Sequence, residues 1–128
     1  MEDFERLLEV ARRKSAFDRT NPWYSGPGTY LSALKKEVDE VADEIPRHRA
    51  CYLEDELGDV LWDYLNAVLA LEKEAGIRLE SVLERALHKY HTRVSGIESG
   101  VPWQETKLRQ QQELAQEHAS TRPDMSGP

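Results

Sequence analysis

The chain has a single cysteine, Cys51, in 128 residues, so it can form no internal disulfide and suits a reducing, cytoplasmic compartment. It has no basic excess: 17 Lys and Arg stand against 24 Asp and Glu, a formal charge of −7. That balance argues against a nucleic-acid polymer as partner, because phosphate backbones are bound by basic stripes. A small phosphorylated ligand remains compatible, provided a cation mediates. No apolar run reaches membrane-spanning length, and the opening Met1-Glu2-Asp3-Phe4-Glu5 lacks the basic and apolar regions of a secretion signal. Period-2 alternation is absent as well, which sets strands aside. What remains is one small soluble domain, 39% hydrophobic and 32% charged.

The 3.6-residue period is what the chain does have. Phe4, Leu7, Leu8 and Ala11 predict a first helix over about residues 2–16. The stretch Asn21-Pro22-Trp23-Tyr24-Ser25-Gly26-Pro27-Gly28 reads as a loop. Tyr30, Leu34, Val38, Val41 and Ile45 mark a second helix, stopped by Pro46. A third is expected from about Leu53 to Ala75, with Gly76 as its C-terminal cap. The fourth carries Leu79, Val82, Leu83, Ala86, Leu87, Tyr90 and Val94 on one face. Beyond Gly100-Val101-Pro102 the pattern weakens: residues 101–118 read as a polar helical extension, and 119–128 as a disordered tail. The expected fold is all-α, an antiparallel bundle of four main helices over residues 1–100.

Acidic residues on the second and third helices fall into stripes. Glu37, Glu40 and Glu44 border the apolar face of the second, while Asp39 and Asp43 point to the opposite side. On the third, Leu53, Leu57, Val60, Leu61, Tyr64, Val68 and Leu71 form the expected core face. Glu56, Asp59, Asp63 and Asn66 make a polar stripe beside it, and Trp62 and Leu69 are apolar again on the far side. Such a helix is expected to be covered on most of its surface. Part-buried acids in line repel one another and are costly to desolvate, and a divalent cation offsets both costs. The pairs Glu37/Glu40 and Glu56/Asp59 are each spaced i,i+3, so each converges from adjacent turns. An all-oxygen donor set suits magnesium, with manganese as substitute. A di-iron bundle would need two Glu-x-x-His pairs, and none of His48, His88, His91 and His118 has a Glu three residues before it. Read as structure alone, the same acids would form solvated helix faces.

Taken together, Glu37-Val38-Asp39-Glu40 and Glu56-Leu57-Gly58-Asp59-Val60-Leu61-Trp62, followed by Asn66, resemble the E-x-x-E … E-L-G-D-[LV]-L-W…N signature of the MazG-like nucleoside triphosphate pyrophosphohydrolases. The resemblance runs from about Tyr30 to Arg93. It implies that Glu37, Glu40, Glu56 and Asp59 are the magnesium ligands and the catalytic set. It implies a nucleotide contact for Asn66, whose alternative is a helix-face hydrogen bond. Lys89 and Arg93, i,i+4 neighbours, would approach the phosphates or else form an ordinary basic face. Asp63 lies on the ligand stripe outside the signature, beside the ligands in the substrate site. Trp23 either stacks on a base or closes the core, and Trp62 and Tyr64 read as packing residues.

The family implies a homo-oligomer, dimer or tetramer, and hydrolysis of a (deoxy)nucleoside triphosphate to monophosphate and pyrophosphate in nucleotide-pool house-cleaning. One departure stands out. Many relatives have a further Glu before the first motif residue, and here that residue is Lys36, which leaves the general base open between Glu37, Glu40 and water activated at the metal. Two other readings stay open: a phosphoribosyl-ATP pyrophosphatase-like enzyme, and a non-enzymatic helical module whose acidic stripe binds a protein.

Overall fold

The computed structural model describes residues 2–121, and all regular structure in them is helical. The helices are α1 (Glu2–Phe17), α2 (Pro27–Glu44), α3 (Ala50–Ala75), α4 (Leu79–Glu98) and α5 (Trp103–Thr121), with a 3₁₀ turn, Ile45–Arg47, between α2 and α3. The chain divides into two compact units, Met1–Leu79 and Glu80–Pro128.

In the first unit α1 and α2 both pack on α3. Pro27 sits at the start of α2, where its missing N–H costs nothing and its fixed φ suits a helix. Gly76 ends α3 in the left-handed region at φ 67, a conformation glycine reaches without steric cost. Just beyond it, the Leu79 N–H donates to Glu72 Oε2 at 2.8 Å, so a carboxylate from α3 satisfies one of the open donors that begin α4. The core lies around the second half of α3, where Leu65, Ala67, Val68, Leu69 and Ala70 are buried together with Ala11 of α1 and Tyr30 of α2. Burying Leu65 and Leu69 contributes about 1.5–3 kcal/mol each.

The expected core face of α3 needs correcting. Of its seven residues only Val68 is fully buried, and Leu57 is 50% exposed. What α3 turns inward is the polar stripe: Asp63 and Asn66 are buried, flanked by Leu69. The periodicity shows that α3 has apolar sectors on both sides of that stripe, but not which of them α1 and α2 cover. They leave Leu57, Leu61 and Tyr64 open, along with Leu31 and Val38 of α2 and Ile45 of the 3₁₀ turn.

The second unit is an antiparallel pair, α4 and α5. It closes at its turn, where Val101 N–H donates to Gly96 O at 2.8 Å and the buried Thr106 packs so tightly that a Cβ on Gly96 would lie 3.2 Å from its Oγ1. The α4 residues expected in the core are again mostly open: Leu79 is buried, but Leu83, Tyr90 and Val94 are exposed and Leu87 is 73% exposed. A polar, Gln-rich α5 has no apolar face with which to cover them. It also runs to Thr121, three residues into the stretch expected to be disordered; the remainder, residues 122–128, lies outside the described residues.

Candidate metal centre

The elbow between α2 and α3 sets the site. After the 3₁₀ turn His48 adopts a left-handed conformation at φ 55, and the chain reverses. The Arg49 guanidinium then donates twice to the buried Glu44, Nε–H to Oε2 at 2.9 Å and Nη2–H to Oε1 at 2.7 Å, and it lies 4.0 Å from the centre of the Tyr52 ring. This bidentate clasp ties the end of α2 to the start of α3. Glu37 precedes Glu44 by seven residues and Glu56 follows Arg49 by seven, two helical turns on either side of the clasp. The two acids are therefore brought opposite one another.

There, one carboxylate oxygen from each of Glu37, Glu56 and Asp59 lies within 4.8 Å of the other two. Glu40, on the next turn of α2, is near enough for its charge to raise both Glu37 and Glu56, but it is not one of the three whose oxygens converge. Burial, reinforced by Glu40, Asp59 and Glu56, pushes Glu37 up to about 7. Burial and the neighbouring Glu40 raise Glu56, and burial with the charges of Asp55 and Glu40 raises Asp59. Asp63 is raised by burial and then by Asp59. Clustered acids held above their ordinary range are paying for one another's charge. Two of their oxygens, Glu37 Oε2 and Glu56 Oε2, are buried with no hydrogen-bond partner. Carboxylate oxygens that converge and find no donor are what a hard divalent cation would satisfy, so these residues fit magnesium or manganese.

The other expected site residues separate into groups. Asn66 continues the stripe and is 2% exposed; its Nδ2 donates to Trp62 O at 2.9 Å, and its buried Oδ1 has no partner. The helix-face hydrogen bond therefore exists, and an acceptor is left over. Trp23 neither closes the core nor stands free: it is 53% exposed and meets Tyr30 edge-on at 5.3 Å. Lys89 and Arg93 are on α4, in the second unit. Lys36 is exposed.

A buried polar knot beneath the Trp23 loop escaped the sequence reading. Lys14 Nζ donates to Asp18 Oδ1 at 2.5 Å and to Tyr30 Oη at 2.9 Å, Tyr30 Oη–H donates to Asp18 Oδ2, and Asn21 Nδ2 donates to Asp18 Oδ1 at 3.0 Å. Burial opposes these bonds, yet they hold Asp18 below its ordinary range, while burial and Asp18 push Tyr30 up. Lys14 and Asp18 show in the sequence only as an i,i+4 charge pair at a helix end, which is no signal for burial.

A family model described as the MazG nucleotide pyrophosphohydrolase domain matches residues 25–96, more than half of the chain. The chain belongs to the MazG family. No curated protein and no solved structure matches it. The MazG match takes in all of α2 and α3 and α4 as far as Gly96, hence every carboxylate of the cluster, and leaves α1 and α5 outside. No helix among the described residues is long and apolar enough to cross a membrane.

Proposed function

We propose that this MazG protein is a magnesium-dependent nucleoside triphosphate pyrophosphohydrolase of the cytoplasm, converting a (deoxy)nucleoside triphosphate and water to the monophosphate and pyrophosphate and so removing non-standard or surplus nucleotides. The observation that carries the reading is the pair of buried, unpartnered oxygens of Glu37 and Glu56 facing Asp59 within a MazG domain. Magnesium bound there, for which manganese can substitute, would neutralise the triphosphate and lower the pKa of a coordinated water. Glu37, Glu56 and Asp59 would hold the ion, with Glu40 as a fourth ligand from the next turn of α2. With Lys36 in place of a further acid, the proton of the attacking water passes to one of these carboxylates.

Asn66 Oδ1, whose amide is fixed by the Trp62 carbonyl, is the acceptor for a hydroxyl or amino group of the nucleotide. Asp63 supports it from the same stripe, and the open face of Trp23 stacks on the base. Lys89 and Arg93 contact the phosphates. The uncovered apolar residues of α2, α3 and α4 support self-association into a dimer or tetramer that completes a bundle of four main helices. A screen of standard and modified triphosphates, with phosphoribosyl-ATP included, tests the proposal by pyrophosphate release. We expect magnesium-dependent release from one or more nucleoside triphosphates. Release from phosphoribosyl-ATP alone would move the enzyme to that activity. No release from any of them, with a melting temperature indifferent to magnesium and nucleotide, would sink the proposal and leave the protein-binding module.

A further inference from the structure

Trp23 lies in the loop between α1 and α2, and it is held more firmly than its surroundings require. At 53% exposed it adds little to the core, yet Lys14, Asn21 and Tyr30 all tie it down. Its N–H donates to Asn21 Oδ1 at 3.2 Å, Lys14 Nζ lies 5.0 Å from the ring centre, and Tyr30 meets the ring edge-on. Ordering an exposed ring costs side-chain freedom, and core burial does not offset that cost here. A flat ring held on one side and open on the other is a platform for a planar ligand.

The same Lys14, Asn21 and Tyr30 donate to Asp18, whose carboxylate is buried. Oδ1 accepts from Lys14 Nζ at 2.5 Å and from Asn21 Nδ2 at 3.0 Å, and Oδ2 accepts from Tyr30 Oη–H. Asn21 carries the tie through to the loop backbone. The Asp18 carboxylate can only accept from it and the Trp23 N–H can only donate to it, so its amide has one orientation. Each of these groups that hold Trp23 is therefore itself held by one buried charge. A clasp of α1 to α2 would need Lys14, Asp18 and Tyr30 alone. What Asn21 adds to them is the hold on Trp23.

Lys14, Asp18, Asn21 and Trp23 all precede residue 25, where the MazG match begins, and Tyr30 lies within it. Tyr30 is raised by burial first, then by Asp18, and also by the charge of Asp63, which sets this hub beside the α3 stripe. We propose that Asp18 is a positioning residue of the substrate site: through Lys14, Asn21 and Tyr30 it fixes the Trp23 ring in the orientation that receives the nucleobase. This rests on the stacking of Trp23 on the base proposed above. It makes α1, outside the MazG match, part of the apparatus that binds the nucleoside rather than an appendage of the domain.

The test is calorimetric titration of the full chain, in magnesium, with α,β-methylene analogues of the four common nucleoside triphosphates and with inorganic tripolyphosphate, which has the charge without the base. Wild-type protein should bind at least one analogue more tightly than tripolyphosphate. Trp23→Ala should weaken that analogue by roughly tenfold, the scale of one base stacked on an aromatic ring, and leave tripolyphosphate unchanged. Asn21→Ala and Asn21→Asp should each weaken it by roughly fivefold, part of the same contact. The aspartate variant keeps an oxygen for the Trp23 N–H but sets a second carboxylate against Asp18, so it separates the tie to Asp18 from the local turn. Neither variant should add to the loss in the Trp23→Ala background, an interdependence that a merely structural role for Asn21 would not produce. Asp18→Asn should match them; because Asp18 is buried, circular dichroism accompanies that variant, and the Asn21 pair decides the matter if it fails to fold. Equal binding of analogue and tripolyphosphate, or analogue binding indifferent to Asn21→Asp, overturns the positioning role and leaves the pyrophosphohydrolase proposal standing. An equal loss of tripolyphosphate binding in the Asn21 variants would mean general disruption and overturns it too. Turnover does not enter these readings, so a failure of the proposed hydrolysis is seen separately.

Discussion

Glu56 and Asp59 stand one helical turn apart, and both are raised by burial first and by acidic neighbours second. Their charges are tolerated in the metal-free protein rather than satisfied. Glu56→Gln or Asp59→Asn removes a proposed ligand and one source of repulsion at once. Turnover should fall by roughly a hundredfold or more, the scale of losing an electrostatic contact made in the transition state. The metal-free variant should melt no lower than wild type. Wild-type turnover in both variants would remove the metal-site assignment. Glu37 carries a pH consequence. Folding moves it from 4.5 to about 7, so its contribution to stability is full below 4.5 and is lost as pH rises through about 7. Asp18 and Glu44, held low by their hydrogen bonds, act oppositely: their contributions are present above 3.8 and 4.5 and are lost on acidification. In EDTA the melting temperature should therefore fall from about pH 5 to about pH 8, and saturating magnesium should flatten that slope. A flat profile in EDTA would show that the cluster is not strained.

Helix ends were the most legible part of the sequence. Pro46, Gly76 and Pro102 act through their own backbone chemistry, and each lies within two residues of a helix end, whereas Pro27 and Gly28, read as loop, open α2. The acidic stripes were legible for a similar reason, since i,i+3 spacing places two carboxylates together whatever surrounds the helix. Which face of α3 turns inward was not. Leu57, Leu61 and Tyr64 look like core by period alone, and only the packing of α1 and α2 shows the polar stripe to be the inner one. The Lys14–Asp18–Tyr30 knot was hidden because it joins α1 to α2 across a loop. Gly58, between Glu56 and Asp59 of α3, gives a test at this scale. Nothing lies within 4 Å of the position its Cβ would take. Gly58→Ala should raise the unfolding free energy by roughly 0.5–1 kcal/mol, the usual gain for alanine over glycine inside a helix. A loss on denaturant titration would mean that something outside the chain packs on Gly58.

The charge of −7 is unevenly spread: residues 1–79 hold seventeen acids against eleven bases, and residues 80–128 seven against six. The acidic cluster belongs to the more negative of these two parts. The apolar residues left open on α2, α3 and α4 are the other whole-molecule feature. Leu87→Glu should shift the protein toward monomer in light scattering and lower its melting temperature; an unchanged mass would remove α4 from the proposed self-association. The claim on which the rest depends is the bond that breaks. Turnover of a nucleoside triphosphate in oxygen-18 water with magnesium decides it directly, because the label enters whichever phosphorus the water attacks. Attack at the α-phosphorus forms the new P–O bond there and releases pyrophosphate by breaking the α–β bridge. The account predicts one labelled oxygen in the nucleoside monophosphate and none in the pyrophosphate. Label in orthophosphate, with a nucleoside diphosphate as the other product, would contradict it.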